Sequence, residues 1–575
     1  MDDAHLSGQS LPVTRQLPWH DKTAVPLPKD AGFTPQEHWA WARIIRGAIA
    51  DMRYFPSADP AAQLSGGLGK DDGAGVDPAA SDNWPAHREL SAKFMFATLF
   101  CEPWAKARAR SSALIRAAKF TEPLEWENES YSGILGLYSC SFRGTLNWIG
   151  LRVNGLIALN ASCLEEEWQA DGMAVTGDLF CRNKFKSKAD VRLLGANIGG
   201  DVSFTEADFE RGFHADGITI GGGLFCDSIT SHDDIRIVGA RVGANLDFAR
   251  ARLEGTFYGD ACTVSGDVFL RGMKKLQALD LPGARIGQDL QLAQSTIEGI
   301  VDLTGAQIAG ELHLAQQPED KPKWGPDARL VLRNASAGAL AGGLHALRRE
   351  RGAFVPCDLA GFSYNRLGGL GAGKAGSTLA SASGGDLRAW LRCCRPRDHY
   401  DPAPYQVLAT ALQDAGRKDR ASDIRMAQGD YELVVKGTPP QQRFMLLMSS
   451  LFIGYGERNH RAIVWFALLV IGAAAMGYWQ DLKWLPSAEP NGWTDWQAWR
   501  DWIGYAFGGA VPLLNFDEAH KTFLVDRFCG ERIQSVCASG VPTGLTGFFY
   551  GVRVVGFVIL SYLAAGVSGL AQRRA

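Results

Sequence analysis

A surplus of charge of either sign is missing from this chain. Lys and Arg number 59 against 62 Asp and Glu, for a formal net charge of -3 in 575 residues. General nucleic-acid binding needs a basic footprint, so nucleic acid is excluded as a first expectation. Cysteine is scarce too: 11 residues is about 2%, far below the density of a disulfide scaffold. The opening Met-Asp-Asp-Ala-His has no basic region leading into an apolar core, so no signal peptide is expected.

The usual chemical signatures are also thin. There is no Gly-x-Ser-x-Gly elbow, no pair of histidines at helical spacing and no close pair of Cys-x-x-Cys units. Gly368 to Ala375 imitates a phosphate loop, yet Ala375 stands where a magnesium-binding hydroxyl belongs, and no apolar strand precedes it. Gly371, Gly373 and Gly376 are glycines in a glycine-rich stretch, and His232-Asp233-Asp234 reads as a solvated turn. No catalytic residue, cofactor-binding residue or metal ligand is therefore expected, and no cofactor.

Glycine is plentiful instead, at 66 residues, about 11% against a usual value of about 7%. The reason is a repeat. Gly195-Ala196-Asn197-Ile198 recurs as Gly217 to Ile220, Gly239 to Val242, Ala261 to Val264, Gly283 to Ile286 and Gly305 to Ile308, at a constant step of 22. Beneath it run apolar columns: Ala196, Ile218, Ala240, Cys262, Ala284, Ala306; then Ile198, Ile220, Val242, Val264, Ile286, Ile308. Val202, Leu224, Leu246, Val268, Leu290, Leu312 and Phe204, Cys226, Phe248, Leu270, Leu292, Leu314 complete the set, after a small column of Gly200, Gly222, Ala244, Gly266, Gln288, Gly310. Half-steps of 11, as from Ala240 to Ala251, give each rung two similar halves. Period-2 alternation broken by glycine at a fixed repeat near 20 predicts a parallel β-helix solenoid with 22-residue rungs, so the protein is expected to be mainly β. Eight rungs are countable, a rod on the order of 40 Å at about 4.8 Å per rung. Cys181, Cys226 and Cys262 fall on inward positions and read as core.

The flanking segments divide the chain further. Residues 1–118 read as a tail, a helix and a flexible linker leading to a solenoid cap, with residues 119–360 forming the β-helix. The N-terminal helix opens on the capping box Thr34-Pro35-Gln36-Glu37, carries Trp41, Ile44, Ile45 and Met52 on one face, and is expected to stop at Pro56. A Gly-rich loop at 361–385 precedes a helical hairpin at 386–437, in which Tyr405, Leu408, Ala409 and Leu412 share a face and Gly416 makes the turn. Residues 438–575 form the membrane domain. Ala462 to Trp479 and Val554 to Leu570 lack acidic residues and lysine, and predict transmembrane α-helices near 462–479 and 552–570.

Between the spans, Trp493, Trp496, Trp499 and Trp502 recur every three residues and are expected at the membrane interface. Tyr505, Phe507, Pro512 and Asn515 mark a stretch that could re-enter the bilayer. Arg458, Arg461, Arg573 and Arg574 flank the spans on the inside, placing both termini and the β-helix in the cytoplasm of a multi-pass inner-membrane protein. Cys529 and Cys537 then lie outside, where their spacing permits a disulfide.

Several runs carry a family likeness. Tyr400-Asp401-Pro402-Ala403-Pro404-Tyr405 with Leu408-Ala409, Ala415-Gly416, Gly454-Tyr455-Gly456 with Arg461-Ala462 and Trp465, and Tyr505-Ala506-Phe507 with Pro512 to Phe516 together resemble bacterial membrane-anchored β-solenoid proteins akin to pentapeptide-repeat proteins. The likeness spans roughly residues 115–575, although only fragments such as Ala207-Asp208-Phe209 and Ala244-Asn245-Leu246 fit a five-residue repeat. It implies a cytoplasmic rod tethered to the inner membrane. Such proteins often carry a membrane-associated oxidoreductase label, for which this sequence shows no flavin, nicotinamide, haem or iron-sulfur motif. The leading expectation is a scaffold or protein-binding module without catalytic activity, with the membrane and a protein partner or a second copy as its partners. A channel-like effector using residues 503–516 is the alternative, and an enzyme the second alternative.

Overall fold

The computed structural model describes residues 25–29, 32–55, 76–108, 112–315, 317–368, 378–396, 400–435, 438–484, 496–511, 522–524 and 543–568. They divide into two compact units, Met1–Cys357 with Ser363–Thr378, and Asp358–Phe362 with Leu379–Ala575.

The first unit is a parallel β-solenoid of about nine turns. A regular rung holds four short strands, as in Asn197–Ile198, Val202–Ser203, Asp208–Phe209 and Phe213–His214, and in some rungs two of them merge, as in Arg252–Tyr258. Neighbouring rungs pair in parallel at the 22-residue step, with Ile198 opposite Ile220 and Ile220 opposite Val242. The predicted apolar columns are buried throughout, Ala196, Phe204, Phe248 and Leu290 among them, whereas the small column at Gly200, Gly222 and Ala244 is half-buried. Strand Ala113–Arg116 lies before the countable repeats and pairs with the strand Ser130–Tyr138. At the far end, Ser363–Leu367 pairs with Ser336–Ala341, so the sheet continues past residue 360. Between Ile308 and its partner Ala337 the step grows to 29 residues. The extra chain includes the short turn Pro318–Asp320, and the pairing shifts by one residue between Ile308 and Glu311, whose partner is Ala339.

Glycine serves two purposes. Gly217 and Gly239, at φ +70° and +68°, occupy a corner that needs left-handed backbone. Gly222 does not: a Cβ there would sit 3.0 Å from the carbonyl carbon of Gly200 in the rung before. The small column is thus a close approach between rungs rather than a turn requirement. The opposite corner is also left-handed but uses Ser139, Ala161, Asn183, Glu206, Ser228 and Arg250, a cost of about 1–2 kcal/mol each.

Hydrogen bonds between rungs offset that cost. Asp178 Oδ1 accepts from Asp201 N at 2.9 Å, and Asp201 Oδ1 from Gly223 N at 2.9 Å. Further along, Asn245 accepts from Asp267 N, Asp267 from Asp289 N and Asp289 from Glu311 N, at 3.0, 3.0 and 2.8 Å. Side-chain acceptors one rung apart thus satisfy the corner amides. Replacing Asp267 by Ala is expected to cost about 1 kcal/mol, because the Asp289 N–H loses its acceptor. Asp267→Asn keeps an acceptor and should stay within about 0.5 kcal/mol of the parent. Denaturant unfolding of the two variants of the full chain would separate these outcomes.

The N-terminal end is closed by helix α1 (Pro35–Ile44) and helix α2 (Ala92–Phe100). The capping box forms, with Glu37 Oε2 accepting from Thr34 N at 2.6 Å. The other oxygen of this buried carboxylate accepts from Ser91 N at 2.9 Å, and Ser91 is itself the cap of α2. One carboxylate therefore holds two helix starts. Helix α1 does not reach Pro56: Gly47 turns at φ +71°, and Ala50–Asp51 becomes a strand paired with Ile115–Arg116. Pairing with the first rung satisfies that backbone where further helix would leave the sheet edge open.

The second unit is helical. Helix α3 (Trp104–Ala107) belongs to the first unit; here follow α4 (Gly384–Cys394), α5 (Ala403–Asp414), α6 (Lys418–Val434) and α7 (Pro440–Ile453). The expected face of α5 is buried, and Gly416 stops the helix at φ +76°. Tyr405 on α5 stacks on Tyr431 of α6 at 5.6 Å. Then come α8 (His460–Trp484), α9 (Trp496–Ala510) and α10 (Thr543–Val567). Within α8 and α10, His460–Gln480 and Gly544–Val567 are long and apolar enough to cross a membrane.

Candidate functional site

Side chains that alternate with the buried columns point outward, and in the middle of the solenoid they line a groove of about 800 Å3. Its floor is an in-register ladder of Phe180, Ser203, Phe225 and Asp247, and Phe269 and Gln291 continue the same column beyond it. The phenylalanines recur on alternate rungs, about 9.6 Å apart at the usual strand spacing. Arg182 lies 4.0 Å over the Phe180 ring and Arg271 4.9 Å over Phe269, both within cation–π range.

Carboxylates sit between these cations. Asp227 pairs with Arg250 at 2.6 Å, while its Oδ1 is buried without a hydrogen-bond partner. Asp247 Oδ1 accepts from Ala249 N at 2.8 Å. Burial, reinforced by the neighbouring Asp227 charge, raises the Asp247 pKa above the usual carboxylate range. The groove thus offers aromatic faces, three guanidiniums, one of them paired with Asp227, and a carboxylate that favours its protonated form more than most. The signal lay in the sequence as the outward column at the same 22-residue step, but its members are chemically mixed and so do not stand out as a motif.

On the opposite sheet, His232 lies 3.1 Å from Glu254 and 3.6 Å from Asp208, and Lys186 pairs with Glu210 at 2.7 Å. Asp234, within the expected turn, accepts from Thr256 N one rung on at 2.7 Å. These exposed pairs contribute little stability individually. The cysteines Cys181, Cys226 and Cys262 are buried core thiols, and burial raises the Cys262 pKa to about 12. A thiol so rarely ionised is a poor nucleophile or metal ligand. Among the described residues no cluster of three His, Cys, Asp or Glu side chains could hold a metal ion.

In the second unit the tryptophans part company. Trp496 is 72% exposed, whereas Trp502 is fully buried and stacks on Phe549 at 6.1 Å and 12°. Trp499 stacks on Tyr478 of α8 at 5.1 Å. Three-residue spacing drifts around a helix, so a run that looks uniform in sequence faces both outward and inward. Tyr505 stacks on Phe523 at 4.7 Å, and Phe507 meets Phe466 edge-on at 5.8 Å. Gly477 receives the Trp502 ring, and Gly556 lies against the Ala510 carbonyl. Arg458 pairs with Asp423 at 2.7 Å, and Arg461 is partly exposed. Trp493, Pro512, Asn515, Cys529, Cys537, Arg573 and Arg574 lie outside the described residues, as does the glycine-rich loop from 369 to 377 with Lys374.

Comparison with protein-family models, with curated proteins and with solved structures finds no match for this chain.

Proposed function

We propose that the protein is a membrane-anchored scaffold, akin to pentapeptide-repeat rods, whose solenoid binds a protein partner or a second copy of itself. The groove carries this reading, because its aromatic and charged side chains repeat in register while the corner carboxylates are engaged by their own backbone. A repeating surface of that kind recognises an extended partner without chemistry of its own.

Anchoring rests on the outer faces of α8 and α10. Ile463, Val464, Leu468 and Ile471 are 53–58% exposed, and Val554 and Phe557 are 65% and 55% exposed. A helix in the core of a soluble domain would have those faces covered; a lipid-facing one would not. The arginine flanks favour an inner-membrane protein with the solenoid and both termini in the cytoplasm.

Alkaline extraction of membranes from cells expressing the full chain tests the anchor. The protein should stay in the pellet, and release into the supernatant would overturn it. Light scattering and an absorption spectrum of the detergent-solubilised chain test the rest. A colourless species whose self-association, or binding to an identified partner, falls when Arg182 and Arg271 are both changed to Glu supports the scaffold. A flavin or haem band overturns it.

A further inference from the structure

A second cavity, of about 1130 Å3, lies within the helical unit, walled by α5, α6, α7 and the end of α10. Its polar wall holds Arg425, Gln428, Glu432 and Glu457. Arg425 faces Glu457 at 3.5 Å and donates to Gln413, and Glu432 accepts from Gln442 at 2.6 Å. Gln428 is 5% exposed, and its Oε1 is buried without a hydrogen-bond partner. A buried acceptor left unpaired costs about 1–3 kcal/mol, which a bound donor would recover. The backbone around the wall is specialised: Tyr455 takes φ +58°, its ring rests against Gly429, and its hydroxyl donates to Asp430 at 3.1 Å.

The other wall is apolar. Met445, Leu446, Ile453, Tyr562 and Ala565 line it. It continues onto the exposed face of α7, where Phe444, Leu447 and Leu451 are 62%, 52% and 44% exposed. Tyr562 and Ala565 belong to the last turns of a helix apolar enough to span a bilayer. Resting on the membrane-anchor reading, this puts the polar wall at headgroup depth and the apolar wall at the start of the acyl region.

We infer that the cavity binds one glycerophospholipid with a primary-ammonium headgroup, of the phosphatidylethanolamine class. The charge balance selects it. One guanidinium and two carboxylates line the polar wall, giving a local charge of -1. A phosphate set against Arg425 needs a cation beside it to satisfy Glu432, Glu457 and the unpaired Gln428 oxygen. A primary ammonium supplies three donors and a charge, whereas the glycerol head of phosphatidylglycerol supplies hydroxyls and leaves the carboxylates unbalanced.

Native mass spectrometry of the full chain in detergent, titrated with phosphatidylethanolamine or phosphatidylglycerol of the same acyl chains, tests this. One phosphatidylethanolamine should be retained with at least about tenfold preference. Gln428→Met removes the acceptor at similar volume, and Ala565→Trp fills the mouth while leaving every polar group in place. Each should weaken retention about tenfold. Equal retention of the two lipids, retention unchanged in both variants, or equal binding of soluble glycerophosphoethanolamine would overturn the inference. Flotation with vesicles of either lipid separates the two readings: a chain that floats yet keeps no lipid in detergent loses the pocket alone, and one that never floats loses the anchor.

Discussion

Trp148→Ala is expected to destabilise the solenoid by about 3–5 kcal/mol, the range for emptying a buried aromatic site. Trp148 is fully buried, stacked on Trp126 at 4.7 Å and 11° and edge-on to Trp168 at 5.4 Å. Phe100 extends the stack from the N-terminal cap, 5.6 Å from Trp126. In a solenoid each rung is held mainly by its neighbours, so a void here weakens the coupling of the cap and first rungs to the rest. Trp148→Phe should cost much less. It keeps a stacked ring and deletes an indole N–H that is buried without a partner. Hydrogen exchange of the full chain would show the difference as faster exchange across residues 113–168 in the alanine variant alone. Uniform protection in both would contradict this account of the cap.

Gly477→Leu is expected to free α9 from its place between α8 and α10. Even a Cβ at this position would run into the Trp502 ring. Trp502 also stacks on Phe549 of α10 and meets Phe523 edge-on at 5.2 Å, so it has no free direction in which to retreat. In lipid, where burial of apolar surface offers little drive, helices associate largely through close packing, which small residues permit. Overpacking such a contact costs about 1–3 kcal/mol. The readout is a cysteine placed at Ala506, which is fully buried on α9. Its maleimide labelling should be slow in the parent and at least about tenfold faster with Gly477→Leu. Gly504→Leu is the control, since a Cβ there meets nothing within 4 Å. Equal labelling in all three would show that α9 is not clamped as described.

Both predictions bear on function through rigidity. On the proposed scaffold reading, a groove that meets a partner through Phe180 and Phe225 depends on rungs that stay in register. A lipid cavity at the end of α10 depends on helices that keep their spacing. The corner ladder of Asp178, Asp201, Asp267 and Asp289 serves the first requirement, and the glycines Gly477 and Gly556 the second.

Much of the architecture was legible because it rests on period alone. Inward residues every 22 positions can bury only if rungs stack at that step, so the spacing of Ile198, Ile220 and Val242 specifies the solenoid. The capping box at Thr34, the stop at Gly416 and two long apolar runs were equally local, since each depends on neighbours within a few residues. The first rung, the end of α1 at Ile44 and the strand Ser363–Leu367 were not, because their pairing partners carry no periodic mark. Nor could one sequence tell Trp502, sealed among α8, α9 and α10, from Trp496 on the surface. The groove and the lipid cavity belong to tertiary structure for the same reason. Which carboxylate meets which amide, and which glutamine is left without a donor, is settled only when residues 22 or more positions apart are packed side by side. Sequence determined the repeating core through hydrophobic periodicity; stacking and helix packing decided where the polar groups end up, because their satisfaction depends on distance in space.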